Sequence, residues 1–180
     1  GGTIIVAPER VHRHSGHRFA VWAAAILRIA DFPVYLAIPE TGRAAREVWG
    51  FADAAGFGEM VRVVPPEKMI PDVLKLADVA LFLQPLPTPP LGRLADGTVS
   101  TRRSIPVAML SALSEGVPLV VADTPLSRQW FENGRSALLV KHDEPRQIAR
   151  ALMKLIEDEA LARELARAAG ELAAGFSEAG

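Results

Sequence analysis

Short apolar runs alternate with helical segments along the whole chain, and this alternation is the feature that most constrains the fold. Six runs have the length and aliphatic content of buried strands: residues 3–7, 34–38, 60–64, 79–83, 119–122 and 137–140. Helices are predicted at 19–30, 44–55, 69–77, from about 104 to 115, 126–133, 145–157 and 161–174. The pattern predicts right-handed crossovers, and hence a doubly wound, Rossmann-like, mostly parallel six-stranded sheet with helices on both faces.

The length and composition fit one domain over residues 1–180. The chain has 180 residues, 49% of them hydrophobic, which is enough for a single good core. It contains no cysteine and no apolar run long enough to span a membrane, and its first residues lack the pattern of a signal peptide. We therefore expect a cytoplasmic protein without disulfides or a transmembrane segment.

Charge limits the classes of partner. Twenty Lys and Arg residues stand against 21 Asp and Glu residues, so no general field attracts nucleic acid or an anionic membrane. Any basic site must be local.

Three predicted loops leave the carboxyl ends of strands, which is where open α/β sheets bind their ligands. They cover residues 8–16, 65–68 and 84–104. The third has prolines at 85, 87, 89 and 90 and no periodicity, and it is long for a connection in a compact domain. Its length indicates a functional segment.

The end of this long loop has the residue types of a phosphate site. Asp96 and Gly97 predict a turn, and Arg102 and Arg103 precede an apolar helix for which Ser104 is the predicted cap. A helix start attracts anions, and guanidinium groups match phosphate oxygens. We infer a diphosphate site here; the alternative is a solvated arginine pair beside an ordinary cap.

A family resemblance appears in the second half of the chain. The segments LADVALFL and SALSEGVPLVVADTP, then FENGRSALLVKHDEPRQIARALMKLIED, resemble in order and spacing the C-terminal, nucleotide-sugar-binding half of GT-B fold group 1 glycosyltransferases. The resemblance implies one half of a GT-B architecture, with an N-terminal acceptor domain absent from this chain. It also implies a metal-independent, retaining transferase that uses a nucleoside-diphosphate sugar as substrate, needs no cofactor, and is inactive as this domain alone.

Several site residues follow from the resemblance. Arg10 and Gly16 match an Arg and a Gly of the family's first loop, but Ser15 stands where a diphosphate-binding Lys is expected. Arg13, His14, His17 and Arg18 are the alternative cations. Two family glutamates are replaced by Arg103 and Ser111, and Glu115, one helical turn beyond Ser111, is a possible substitute for the second. The nucleobase would lie near residues 65–68.

The long loop can be interpreted as a variant donor loop. Its donor-binding candidates, besides Arg10, Gly16 and Ser111, are Asp96, Gly97, Ser100, Arg102, Arg103 and Ser104. In this interpretation the arginines replace lost cationic contacts and Asp96 accepts a hydrogen bond from a sugar or ribose hydroxyl. The alternative is a weakened or lost site. The catalytic residues stay unassigned.

Other functions remain open at this stage. A catalytically degenerate binding or scaffold domain would keep the fold without the carboxylates, and a sugar-nucleotide epimerase half has a similar plan. Glu9, His12, His14 and His17 crowd one loop, but loop histidines are more often solvated than metal-bound, so no metal is predicted. Trp49 and Phe51 are candidates to face the absent domain.

Overall fold

The computed structural model describes residues 2–84 and 105–178. The strands are β1 Thr3–Val6, β2 Val34–Pro39, β3 Val61–Val64, β4 Val79–Phe82, β5 Leu119–Ala122 and β6 Leu138–Val140. The helices are α1 His17–Ile29, α2 Arg43–Ala54, α3 Pro66–Lys68, α4 Val107–Ser114, α5 Ser127–Trp130, α6 Pro145–Glu157 and α7 Glu159–Glu178. A 3₁₀ turn at Gly58–Met60 leads into β3.

All six strands pair in parallel, in the order β3-β2-β1-β4-β5-β6. The chain moves outwards from β1 to β3, and then returns to the other side of β1 to add β4. The strand order therefore reverses between β1 and β4, and in sheets of this kind the ligand crevice lies at the carboxyl edge of that point. The predicted doubly wound α/β fold is confirmed.

Two apolar layers cover the sheet, one on each face. Helices α1, α2 and α6 supply buried side chains such as Leu27, Val48 and Leu152 to one layer. The other layer includes Met69, Met109 and Leu113, so it joins the segment after β3 to α4 and α7. The α1, α2 and α6 layer and the α4 and α7 layer therefore lie on opposite faces of the sheet.

A regular helix is predicted at residues 69–77, and this prediction is wrong. After the short helix α3, the chain there forms a π-helical turn at Met69–Val73 and a 3₁₀ turn at Leu74–Leu76. Pro71 has no amide hydrogen, so a regular helix through this position would lose a hydrogen bond. The irregular segment still buries Met69 and Leu74 against the sheet.

In the ranges 2–84 and 105–178, no helix has the length and apolar character needed to cross a membrane.

Candidate functional site

The loop from β1 to α1 is fixed to the neighbouring loop after β2. The backbone N–H of Val11 donates to Thr41 Oγ1 at 3.2 Å, and the Thr41 hydroxyl donates back to the Val11 carbonyl at 3.1 Å. Val11 itself is buried. This loop therefore has a defined shape at the mouth of the crevice.

Gly16 allows α1 to start close to the end of β4. It has φ +79°, a left-handed conformation that glycine adopts readily and other residues rarely adopt. A Cβ at this position would lie 2.5 Å from Leu83 Cβ and 3.1 Å from the Leu83 carbonyl oxygen. Gly16 is thus required by both its backbone angle and its neighbour, whatever its part in donor binding.

A buried histidine lies directly after Gly16. His17 is 3% exposed; its Nε2 lies 3.2 Å from the Ala7 carbonyl oxygen, and its Nδ1 lies 2.7 Å from Ser15 Oγ. A carbonyl can only accept, so Nε2 carries the proton and the unprotonated Nδ1 faces Ser15 Oγ, whose hydroxyl donates to the His12 carbonyl at 2.7 Å. Burial lowers the pKa of His17 to about 4, and the ring is neutral at pH 7.

Glu9 lies beside the same crevice and connects β1 to β4. Its carboxylate accepts a hydrogen bond from the Gln84 backbone N–H at 2.9 Å. Burial raises the pKa of Glu9 to about 7, although the backbone N–H groups of Gln84 and Leu83 oppose this by stabilising the carboxylate. Glu9 therefore holds the first residues of the segment that leaves β4.

The structure shows which of the residues considered as diphosphate contacts are exposed and which are buried. Arg10 is exposed in the β1–α1 loop, and among residues 2–84 and 105–178 it has no carboxylate partner within 4.0 Å. Ser15, at the position of the expected Lys, is buried and serves the loop itself. His17 is neutral and buried, so it is excluded as a cationic contact.

The helix after the long loop begins later than expected. Pro106 is its N-cap residue, with φ −54° and ψ 138°, and α4 runs from Val107 to Ser114. The predicted cap at Ser104 is therefore wrong. Proline disfavours helical geometry in the residue before it, so Ile105 cannot join the helix.

Two further positions lie on or after α4. Ser111 is half-buried in the fifth position of this helix. Glu115 is the C-cap residue, exposed and 3.9 Å from Lys75 Nζ. Since a crossover helix runs antiparallel to its strands, Glu115 lies at the opposite edge of the sheet from the crevice. It cannot replace the missing glutamate.

The remaining predicted donor-binding residues lie outside the described residues: Asp96, Gly97, Ser100, Arg102, Arg103 and Ser104. Within the described ranges, no group of three or more His, Asp or Glu side chains is arranged to hold a metal ion.

Two aromatic residues were considered as contacts for an absent domain. Trp49 is 42% exposed, while Phe51 meets the Trp22 ring edge-on at 5.5 Å between centroids.

From the sequence, His17 is considered as a cationic contact and Glu9 as a metal ligand, but the desolvation of neither is predicted, because this depends on residues distant in the chain. Gln84 lies 75 positions from Glu9, and Thr41 lies 30 positions from Val11. The one local signal is the family alignment, which places Ser15 at a functional position.

The structural comparisons identify the fold. A glycosyltransferase from Rickettsia africae superposes with a TM-score of 0.79 at 12% identity, covering 97% of this chain and 43% of that one. HepE from Anabaena in complex with UDP-glucose gives 0.76 at 18% identity, over 97% and 44%. The C-terminal domain of the group 1 glycosyl transferase LpcC from Francisella tularensis gives 0.72 at 15% identity, over 96% and 85%. The chain thus spans less than half the length of the first two.

A comparison with family models shows which family the sequence matches. No curated protein matches this chain. The family model for glycosyl transferases group 1 matches residues 1–172. The chain belongs to this family.

Proposed function

We propose that this member of the group 1 family binds a nucleoside-diphosphate sugar in the crevice between β1 and β4. The observation that carries the proposal is the reversal of strand order at this point, with the exposed Arg10 in the loop beside it, which has no carboxylate within 4.0 Å among residues 2–84 and 105–178. HepE, which shares the fold, was crystallised with UDP and with UDP-glucose. The irregular segment after β3 packs on the same face as α4, which supports a nucleobase near residues 65–68.

The reaction we propose is glycosyl transfer to an acceptor hydroxyl with retention of configuration. The bond from the anomeric carbon to the diphosphate breaks, and its electron pair stays on the diphosphate. The acceptor oxygen then bonds to the anomeric carbon, and its proton passes to an oxygen of the departing diphosphate. Arg10, Arg102 and Arg103 would stabilise the charge that develops on the leaving group.

We also propose that the acceptor is bound by a second, N-terminal domain that is not part of this chain, so that the 180 residues alone bind the donor without efficient transfer. The coverage of less than half of the Rickettsia and Anabaena proteins supports this proposal. Ser111 replaces one glutamate of the family, so a degenerate binding domain is the alternative. The titration described next also tests this alternative.

Calorimetric titration of the chain with UDP, GDP and ADP tests donor binding. We expect one of the three to bind, and Arg10→Ala or Arg103→Ala to weaken it about 10- to 100-fold, since a hydrogen bond to a charged group contributes about 1.5 to 3 kcal/mol. Arg28→Ala, in the last turn of α1 and far from the crevice, is the matched control and should change nothing.

Two outcomes contradict the proposal. The degenerate binding domain is favoured if none of the three nucleotides binds. A different site is indicated if a nucleotide binds with equal affinity to the chain and to both crevice variants.

A further inference from the structure

A second concave site lies at the same edge of the sheet, beside the helix layer opposite α4. It is a cavity of about 580 Å³ between the start of α1 and the loop after β6. We call it the α1–α6 pocket. Its walls are His12, Arg13, His14, Gly16, His17, Arg18, Phe19, Trp22 and His142. A volume of this size is in the range of small-molecule sites.

The charge of this pocket contrasts with that of the whole chain. The protein is balanced at a net charge of −1, yet two arginines and three solvent-accessible histidines line the pocket, and none of the carboxylates in the described part of the chain does. Asp143 and Glu144 follow His142 but are not part of the walls. The two guanidinium groups give the pocket a local positive charge, and the imidazoles add hydrogen-bonding nitrogens, a combination that favours an anion.

The guanidinium groups are available to a ligand. Within residues 2–84 and 105–178, neither Arg13 nor Arg18 has a carboxylate within 4.0 Å. Arg18 stacks on the Phe51 ring, 4.5 Å from its centroid, which holds its side chain without neutralising it. By contrast, Arg43 in the adjoining hollow is already paired with Glu47 at 2.8 Å.

The other wall is aromatic. Trp22 is 46% exposed and Phe19 is half-buried, and both line the pocket. Two guanidinium groups favour a phosphate, because their planar forks match its oxygens, and an exposed indole favours a compact ring beside that phosphate.

We propose that the α1–α6 pocket binds a phosphate monoester carried on a compact ring, of which a hexose phosphate is the simplest case. The phosphate would contact Arg13 and Arg18, and the ring would lie against Trp22. The pocket shares Gly16 with the family's donor loop and therefore adjoins the proposed donor crevice, and as part of the proposal we place its ligand on the α1–α6 side of the sheet, apart from the nucleotide.

The test is calorimetric titration of the chain with inorganic phosphate, glucose 6-phosphate and glucose, after the chain has been saturated with the nucleotide that it binds. We expect one site for each phosphate compound, tighter for glucose 6-phosphate, and no binding of glucose. Arg13→Gln and Arg18→Gln should each weaken phosphate binding at least tenfold. Arg28→Gln on the same helix is the control, and Trp22→Leu should remove only the advantage of glucose 6-phosphate.

Several outcomes overturn this proposal. They are no phosphate binding, binding that both arginine variants leave unchanged, or an equal loss in Arg28→Gln. Binding to anionic phospholipid vesicles alone would replace the small molecule with a lipid surface. Nucleotide titration of the same variants keeps the two sites distinguishable: if no nucleotide binds, the donor proposal fails, and the phosphate titration is still decisive without it.

Discussion

Replacing Gly16 with alanine should lower the free energy of unfolding by about 3 kcal/mol, combining about 1 to 2 kcal/mol for a left-handed backbone with about 1 to 3 kcal/mol for overpacking. The overpacking arises because the new methyl group would lie 2.5 Å from Leu83 Cβ and 3.1 Å from the Leu83 carbonyl oxygen. The carbonyl belongs to the backbone and cannot rotate away as a flexible side chain can. Urea denaturation of both proteins measures the difference.

Two other glycines provide matched controls. Gly116 and Gly134 have φ values of +68° and +80°, and a Cβ at either position would have no heavy atom of the described residues within 4 Å apart from its chain neighbours. Gly116→Ala and Gly134→Ala should therefore lose only the backbone contribution, about 1 to 2 kcal/mol. If Gly16→Ala costs no more than these two, α1 does not approach β4 as closely as the structure shows.

Local chemistry explains why most elements could be predicted. Strand β5 at Leu119–Ala122 and helix α6 at Pro145–Glu157 have the predicted limits, because a glycine and a proline end the helix before β5 and another proline opens α6. The strict alternation of strands and helices gave the parallel sheet. The errors at residues 69–77 and at Ser104 both come from prolines inside an apolar run. Such a proline interrupts or delays the helix that the apolar residues predict.

Less of the candidate site than of the fold could be predicted from the sequence. The long loop and the crevice follow from strand order, and Arg10 and Gly16 follow from the family resemblance. However, the burial of Glu9 and His17 is produced by segments that meet only in the folded chain. A loop rich in histidine, arginine and glutamate has the composition of a solvated surface, so no local pattern indicates that His17 is held neutral or that the pKa of Glu9 is raised.

Replacing Glu9 with glutamine should raise the free energy of unfolding at pH 8 by about 3 kcal/mol, since one pKa unit corresponds to about 1.36 kcal/mol and the pKa of Glu9 rises from 4.5 to about 7. At pH 8 the carboxylate is ionised in both states, and the folded protein bears the cost of burying that charge. A glutamine oxygen can still accept from the Gln84 N–H. Denaturant titrations from pH 4 to pH 8 measure the effect.

The sign of the pH dependence is opposite for the two buried groups. Between about pH 4.5 and 7, folded Glu9 keeps a proton that the unfolded chain has released, so its contribution to stability falls as pH rises. Between about pH 4 and 6.5, the unfolded chain holds a proton on His17 that the folded chain lacks, so this contribution rises with pH. From pH 4.5 to 6.5 the two slopes offset each other.

Each single variant should therefore reveal the slope of the other group. Glu9→Gln should become more stable as pH rises from 4 to 6.5, whereas His17→Gln should become less stable from pH 4.5 to 7. The double variant should restore a flat difference from the parent chain. Parallel profiles for Glu9→Gln and the parent would show that Glu9 titrates normally. The offset has a structural origin: one closure of the β1–α1 loop desolvates an acid and a base together, and folding then moves no net proton although both groups change their charge.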